Sequence, residues 1–245
     1  MSSLGNQIRQ FLGLQPQNDQ HHGRLSLEET DHTLLVGAWQ AGESQRDRLT
    51  YDRQEVLADC MDAWRFNPLA RRITELTTTY VTGGGFVVSS PHTGTQAFLE
   101  RFWNHRLNHL SLRTVELSDE LVLSGNLFLL LSTDASGMSY LRVIPSADIV
   151  RIESSDADVE QELFYVGKSG LTGDERVFPA YQPGRDRPEE GGGFAPVMLH
   201  YAVNRPVGSQ WGESDLAPIL KWLSRYSAWL EDRVRLNRFR NAFVY

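Results

Sequence analysis

After Pro218 the chain runs to Tyr245 without another glycine or proline. That run limits the fold more than any other stretch, because nothing in it breaks an α-helix. From Leu216 a helix of about thirty residues is predicted, rising about 1.5 Å per residue. Ser214 or Asp215 supplies an N-cap, and Pro218 falls in the first turn, where its missing N–H has no partner to lose. Trp222, Trp229, Leu236 and Phe243 recur every seven residues, and Leu216, Leu220, Leu223, Leu230 and Val234 form a second stripe. At about 100° per residue the two stripes cover more than half the circumference, whereas a helix on the surface of one domain needs a single stripe. This helix is therefore predicted to have two neighbours. Leu216, Trp222, Leu223, Trp229 and Leu230 are its expected packing residues in a self-association interface. Arg233, Arg235, Arg238 and Arg240 follow on the same helix and suit either phosphate contacts or ion pairs between subunits.

The rest of the chain sets boundaries. At 245 residues it holds one large domain or two small ones. It contains no run of about eighteen apolar residues, so no membrane-spanning helix is expected, and Met1–Gln10 has no apolar signal core. Cys60 is the single cysteine, which rules out an internal disulfide or a thiolate-rich metal site and suggests a reducing, intracellular setting. The formal net charge is −7. Residues 213–245 carry six basic and four acidic groups, net +2, which leaves −9 for residues 1–212. A dedicated binder of the phosphate backbone carries a strong basic excess, and this chain does not.

Residues 1–50 are polar and aperiodic around Gln15–Gly23 and Gly42–Arg48, and are expected to form a loose arm. Val56, Leu57, Cys60, Met61 and Trp64 predict a first helix ending before Pro68. A second helix fits the spacing of Leu69, Ile73, Leu76 and Tyr80, stopped by Gly83-Gly84-Gly85, with Phe86-Val87-Val88 following as a short strand. Thr95–Leu110 reads as a third helix facing inward through Phe98, Leu99, Phe102 and Trp103, and Leu112–Leu123 as a fourth. The period then shortens. Six strand-like runs, 126–132, 140–144, 149–153, 163–166, 176–181 and 197–203, are separated by turn-formers and predict a mostly antiparallel sheet of meanders. The expected fold class is α+β: amino-terminal helices, a central antiparallel sheet and a long carboxy-terminal helix. The expected division is an arm at 1–50, an α+β body at 51–212 and the start of the long helix at 213–245.

Several constellations mimic chemistry. Gly167-Lys168-Ser169 lacks the glycine five residues earlier that a phosphate loop needs, since position 162 is Glu; a hairpin turn accounts for it. Gly212-Glu213-Ser214-Asp215-Leu216 departs from a nucleophile elbow at Leu216, so Ser214 reads as a cap, with a serine hydrolase using Ser214 as the alternative function. His105 and His109 stand four apart on the predicted third helix, where they could share an ion, but Arg106 occupies the place of a metalloprotease glutamate. Asp156, Asp158, Glu160 and Glu162 could surround a divalent cation or simply form a hydrated surface. No catalytic set emerges, no cofactor is implied, and a non-enzymatic protein is expected.

The order of the elements carries a resemblance. Asn67-Pro68-Leu69 with Arg71-Arg72-Ile73 leads to Tyr80-Val81-Thr82 and the three glycines. Leu121-Val122-Leu123-Ser124-Gly125-Asn126 is followed by Arg142-Val143-Ile144-Pro145 and Ile149–Glu153. Gly208, Gly212, Ser214, Asp215, Leu216 and Pro218 then precede the Trp-rich helix. Over about residues 50–245 this resembles the portal proteins of tailed bacteriophages. The resemblance implies a wing domain running into the first stem helix of a homo-oligomeric ring, through which double-stranded DNA enters and leaves the capsid. It also implies terminase, scaffold or capsid proteins as partners and a virion location after assembly in the host cytoplasm, with another minor capsid or connector component as the alternative. The family continues into a clip, a second stem helix, a DNA-facing loop and a crown, so this chain resembles its amino-terminal part.

Overall fold

The computed structural model describes residues 52–155, 158–168, 174–183 and 193–242; the predicted arm at 1–50 lies outside them. Two helices open the described fold, α1 (Arg53–Phe66) and α2 (Pro68–Thr82). Asp52 caps α1 by accepting the Gln54 N–H at 2.8 Å. Asn67, held extended before Pro68, caps α2 by accepting from the Leu69 and Ala70 N–H groups. One residue thus ends one helix and starts the next.

The buried stripe of α2 is Ala70, Thr74 and Thr78; of the expected Leu69, Ile73, Leu76 and Tyr80, Ile73 packs against the core and the other three are exposed. Short side chains at steps of four let α2 lie close to α4 (Leu110–Ser124), and Thr78 Oγ1 meets Ser118 Oγ at 3.2 Å and donates to Asp119 Oδ1. Hydrophobicity alone set the stripe too far around the helix, because close backbone approach selected small residues for the buried centre.

Gly83 ends α2, but residues 86–88 form no strand, and Val87 is 94% exposed. The third helix, α3 (Thr93–Asn104), stops earlier than predicted. Asn108, fully buried, breaks the run: its amide donates to the carbonyls of Phe102 and Ser139, and its oxygen accepts from the Leu141 N–H. His109 takes a left-handed φ of 45° as α4 begins. One long-range polar anchor therefore ends the third helix about six residues before the predicted Leu110 and widens the break between the two helices.

Six strands follow: β1 (Asn126–Thr133), β2 (Ser139–Ile144), β3 (Ile149–Ser155), β4 (Asp158–Lys168), β5 (Glu175–Pro179) and β6 (Phe194–Ala202). They form two antiparallel three-stranded sheets, β2-β1-β6 and β3-β4-β5, where one mostly antiparallel sheet of meanders was expected. Pro145 and the 3-10 turn Ser146–Asp148 turn the chain after β2, so β3 leaves the first sheet and starts the second. Phe128, Ile149, Ile152, Tyr165, Ala180 and Met198 pack into one core drawn from both sheets, and a parallel bridge pairs Ala180 with Met198. The fold class is α+β, closed by a 3-10 turn (Ala217–Ile219) and the long helix α5 (Leu220–Ala242).

Candidate assembly surface

The base of α5 is set by a junction of close backbone contacts. Gly125, at φ 72°, ends α4 in the left-handed region, and its carbonyl accepts from the Val203 N–H at 2.9 Å. A Cβ on Gly125 would overlap the backbone of Glu213, and a Cβ on Gly212 would overlap the carbonyl oxygens of Gly125 and Val203. Only glycine lets these strands approach so closely. Asn126, fully buried, ties them together: its amide donates to the carbonyls of Ser124 (2.8 Å) and Gly212 (3.0 Å), while its oxygen accepts from the Gly212 N–H (2.8 Å).

His200 joins the same node. Asn126 Oδ1 is an acceptor, so His200 Nε2, 3.2 Å away, donates to it, while Nδ1 sits 2.7 Å from Glu162 Oε1. Tyr165 donates to the other oxygen of Glu162 at 2.5 Å, and burial, then the neighbouring Glu162, pushes its phenol well above the ordinary range. The imidazole stacks on Phe128 with ring centres 4.4 Å apart. Arg53 reaches over from α1: its guanidinium lies 3.6 Å from the Trp211 ring centre and donates to the Ile149 carbonyl. Burial pushes it down to about 10, beyond the opposing effect of Asp52, so it still carries its charge at neutral pH. Sequence reasoning missed this network of Arg53, Asn126, Glu162, Tyr165, His200 and Trp211, because its members are spread along the chain and no local pattern joins them.

Ser214 completes the junction. Its hydroxyl donates to the Val122 carbonyl at 3.2 Å and accepts from the Leu216 N–H at 3.1 Å. It also meets the thiol of Cys60, which burial pushes up. This is the geometry of a turn cap.

Leu216 and Leu223 are corrected by the structure. Leu216 is 0% and Leu223 8% exposed, packed with Val56, Cys60, Ala70 and Leu123 in the chain's own core. They anchor the helix instead of offering a surface. Beyond Leu223 that anchorage ends: every residue from Ser224 to Ala242 is exposed. Trp222 (63%), Tyr226, Trp229 (56%), Leu230, Val234, Leu236 and Phe239 (66%) all stand in solvent. The 23-residue helix spans about 35 Å, well past the body that holds its first turn. Large apolar patches of this kind mark contact surfaces. Arg235 pairs with Glu231 at 3.7 Å and Asp232 at 3.9 Å; no ion pair involves Arg233, Arg238 or Arg240 among the described residues. Phe243 lies outside the described residues.

The other candidates separate. His105 caps the end of α3 and His109 precedes α4, so they do not share a helix face. Asp156 and Ser169 lie outside the described residues, Gly167-Lys168 sits in the paired end of β4, and Glu162 turns inward to His200. Among the described residues no three His, Cys, Asp or Glu side chains come together as a metal site, and no helix is long and apolar enough to cross a membrane.

No family model and no curated protein matches the chain. Solved structures that share its fold include chains of gene transfer agent particles. A chain in the virion of the native gene transfer agent particle aligns with a TM-score of 0.53 at 17% identity, over 74% of this chain and 45% of that one. A chain in the neck of the empty gene transfer agent particle, computed with C6 symmetry, aligns with a TM-score of 0.50 at 17% identity, over 74% of this chain and 46% of its own length. This protein thus spans under half the length of either chain, and the likeness is one of fold.

Proposed function

We propose that the protein is a structural, connector-type component of a phage-like particle, and more specifically the wing and first stem helix of a portal-type ring subunit. The observation that carries this is α5: anchored by Leu216 and Leu223, it then projects with Trp222, Tyr226, Trp229 and Phe239 uncovered by its own domain. A helix packed only on its own body would hide those side chains. The same fold in gene transfer agent particles, one of them a neck computed with C6 symmetry, supports a rotationally symmetric setting. The work assigned to the chain is self-association around a conduit for double-stranded DNA. A conduit must let its cargo slide, and a net charge of −7 suits weak, non-specific contact better than tight phosphate binding. Terminase, scaffold and capsid proteins are the partners this role would bring, and the virion its place. Ser214 has no part in it beyond capping, since its hydroxyl is held by Val122 and Leu216.

Light scattering tests the reading. The chain should form a closed species of several copies, and a chain ending at Leu223 should be a folded monomer. A multimer that survives the deletion would refute the assignment of α5 as the assembling element.

A further inference from the structure

The exposed part of α5 carries two different stripes on opposite sides. Trp222, Tyr226, Trp229, Arg233 and Leu236 follow one another at steps of four and three, which places them on one face. Ser224, Ala228, Glu231 and Arg235 follow at the same steps about half a turn around the helix. Neither stripe serves the chain's own core, because the anchoring residue Leu223 lies between them. The first stripe is a firm ridge: Tyr226 and Trp229 stack with centres 6.0 Å apart, and Arg225 lies 5.9 Å over Trp222. The second begins with two small residues and continues into a carboxylate.

We infer that the occupant of each stripe is another copy of this chain, packed head-to-tail, with the aromatic ridge of one α5 against Ser224 and Ala228 of the next and Arg233 of one copy paired with Glu231 of its neighbour. The inference rests on the ring reading above. Rotation about a ring axis leaves height unchanged, so where α5 runs along that axis the facing residues carry nearly the same numbers. Trp222, Tyr226 and Trp229 then stand level with Ser224 and Ala228, the side chains that leave most room. Helical side chains lean toward the N-terminus, and the longer Arg233 side chain reaches further that way than Glu231, which spans the rise of about 3 Å between them. That carboxylate already faces Arg235 at 3.7 Å, and its two oxygens have lone pairs for a second guanidinium. A parallel two-fold pairing of the ridge would instead set Arg233 against Arg233, a like-charge contact. An antiparallel two-fold pair centred on Trp229 separates the two Arg233 side chains but brings each level with Arg225 of the other copy, and is the rival arrangement.

Cysteine cross-linking of the full chain separates them, with wild type as control because its single cysteine, Cys60, is buried. Under mild oxidation Tyr226→Cys/Ala228→Cys should give a ladder of covalent multimers, and Trp229→Cys alone should stay monomeric on a denaturing gel. In parallel, Arg233→Glu and Glu231→Arg should each lower the assembled fraction measured by light scattering at least tenfold, and the double exchange should restore it. Circular dichroism confirms that each variant remains folded. A Trp229→Cys dimer, or an assembled wild type whose double-cysteine variant gives no ladder, overturns the head-to-tail pairing while leaving the ring reading standing. A wild type that is monomeric at all concentrations overturns the ring reading and the pairing with it.

Discussion

Replacing Asn126 by aspartate keeps the shape of the side chain but exchanges its two donors for a second acceptor oxygen and, at neutral pH, a negative charge. In the native junction those donors serve the carbonyls of Ser124 and Gly212. Each lost bond costs about 1 kcal/mol net, and each buried carbonyl left facing a carboxylate oxygen adds about 1 kcal/mol or more. The Gly212 N–H and His200 Nε2 still donate to the other oxygen, and because that acceptor is now charged the two bonds strengthen, which offsets part of the loss. The expected destabilisation is therefore about 2–4 kcal/mol at pH 7, a large share of a typical stability of about 5–15 kcal/mol. The sign of its pH dependence follows from the same geometry. Two carbonyl oxygens disfavour the charged form, so the introduced carboxyl titrates higher in the folded state than its unfolded value of about 3.9. The penalty is full above that raised value and shrinks as pH falls toward the unfolded one, where a protonated oxygen again donates. Urea unfolding followed by tryptophan fluorescence at pH 7 and pH 5 measures both effects, since Trp211 adjoins the node. A variant within about 0.5 kcal/mol of wild type at pH 7, the range of an ordinary surface change, would refute the claim that Asn126 pins the base of α5. So would a deficit that grows in acid.

Leu216→Ala and Trp229→Ala should behave oppositely. The first empties a fully buried site and should cost about 2–5 kcal/mol in urea unfolding; the second removes an exposed ring and should leave monomer stability within about 0.5 kcal/mol while lowering the mass seen by light scattering. Asp134 lies in the β1–β2 turn, where Ser136, then the Met138 N–H, and Tyr140 hold its carboxyl below the usual range. Its contribution should be present above the unfolded carboxyl value and fade as pH drops through the lowered one, so the gap between wild type and Asp134→Ala in thermal unfolding should narrow from pH 7 to pH 3.

Local pattern made most elements legible. Asn67 before Pro68, the glycines after Thr82 and the short strand-like runs from Asn126 onward announce helix ends and strands through backbone preferences that act within a few residues. The greasy terminal helix was legible for the same reason, since periodicity needs no knowledge of what lies opposite. The surfaces facing one another were not. Ala70, Thr74 and Thr78 are buried because α4 comes close, and Asn108 breaks a helix because β2 supplies its partners. Leu216 and Trp222 carry similar sequence signals, yet one is sealed in the core and the other stands in solvent.

The sequence by itself determined that this chain has early helices, a strand-rich middle and a final helix with more apolar surface than one contact can cover. Only the tertiary structure decided which part of that helix the chain keeps for itself. The two glycines, Asn126 and Ser214 aim α5 at the junction, and the body ends at Leu223. What remains uncovered depends on distances between residues far apart in sequence, which no local pattern encodes.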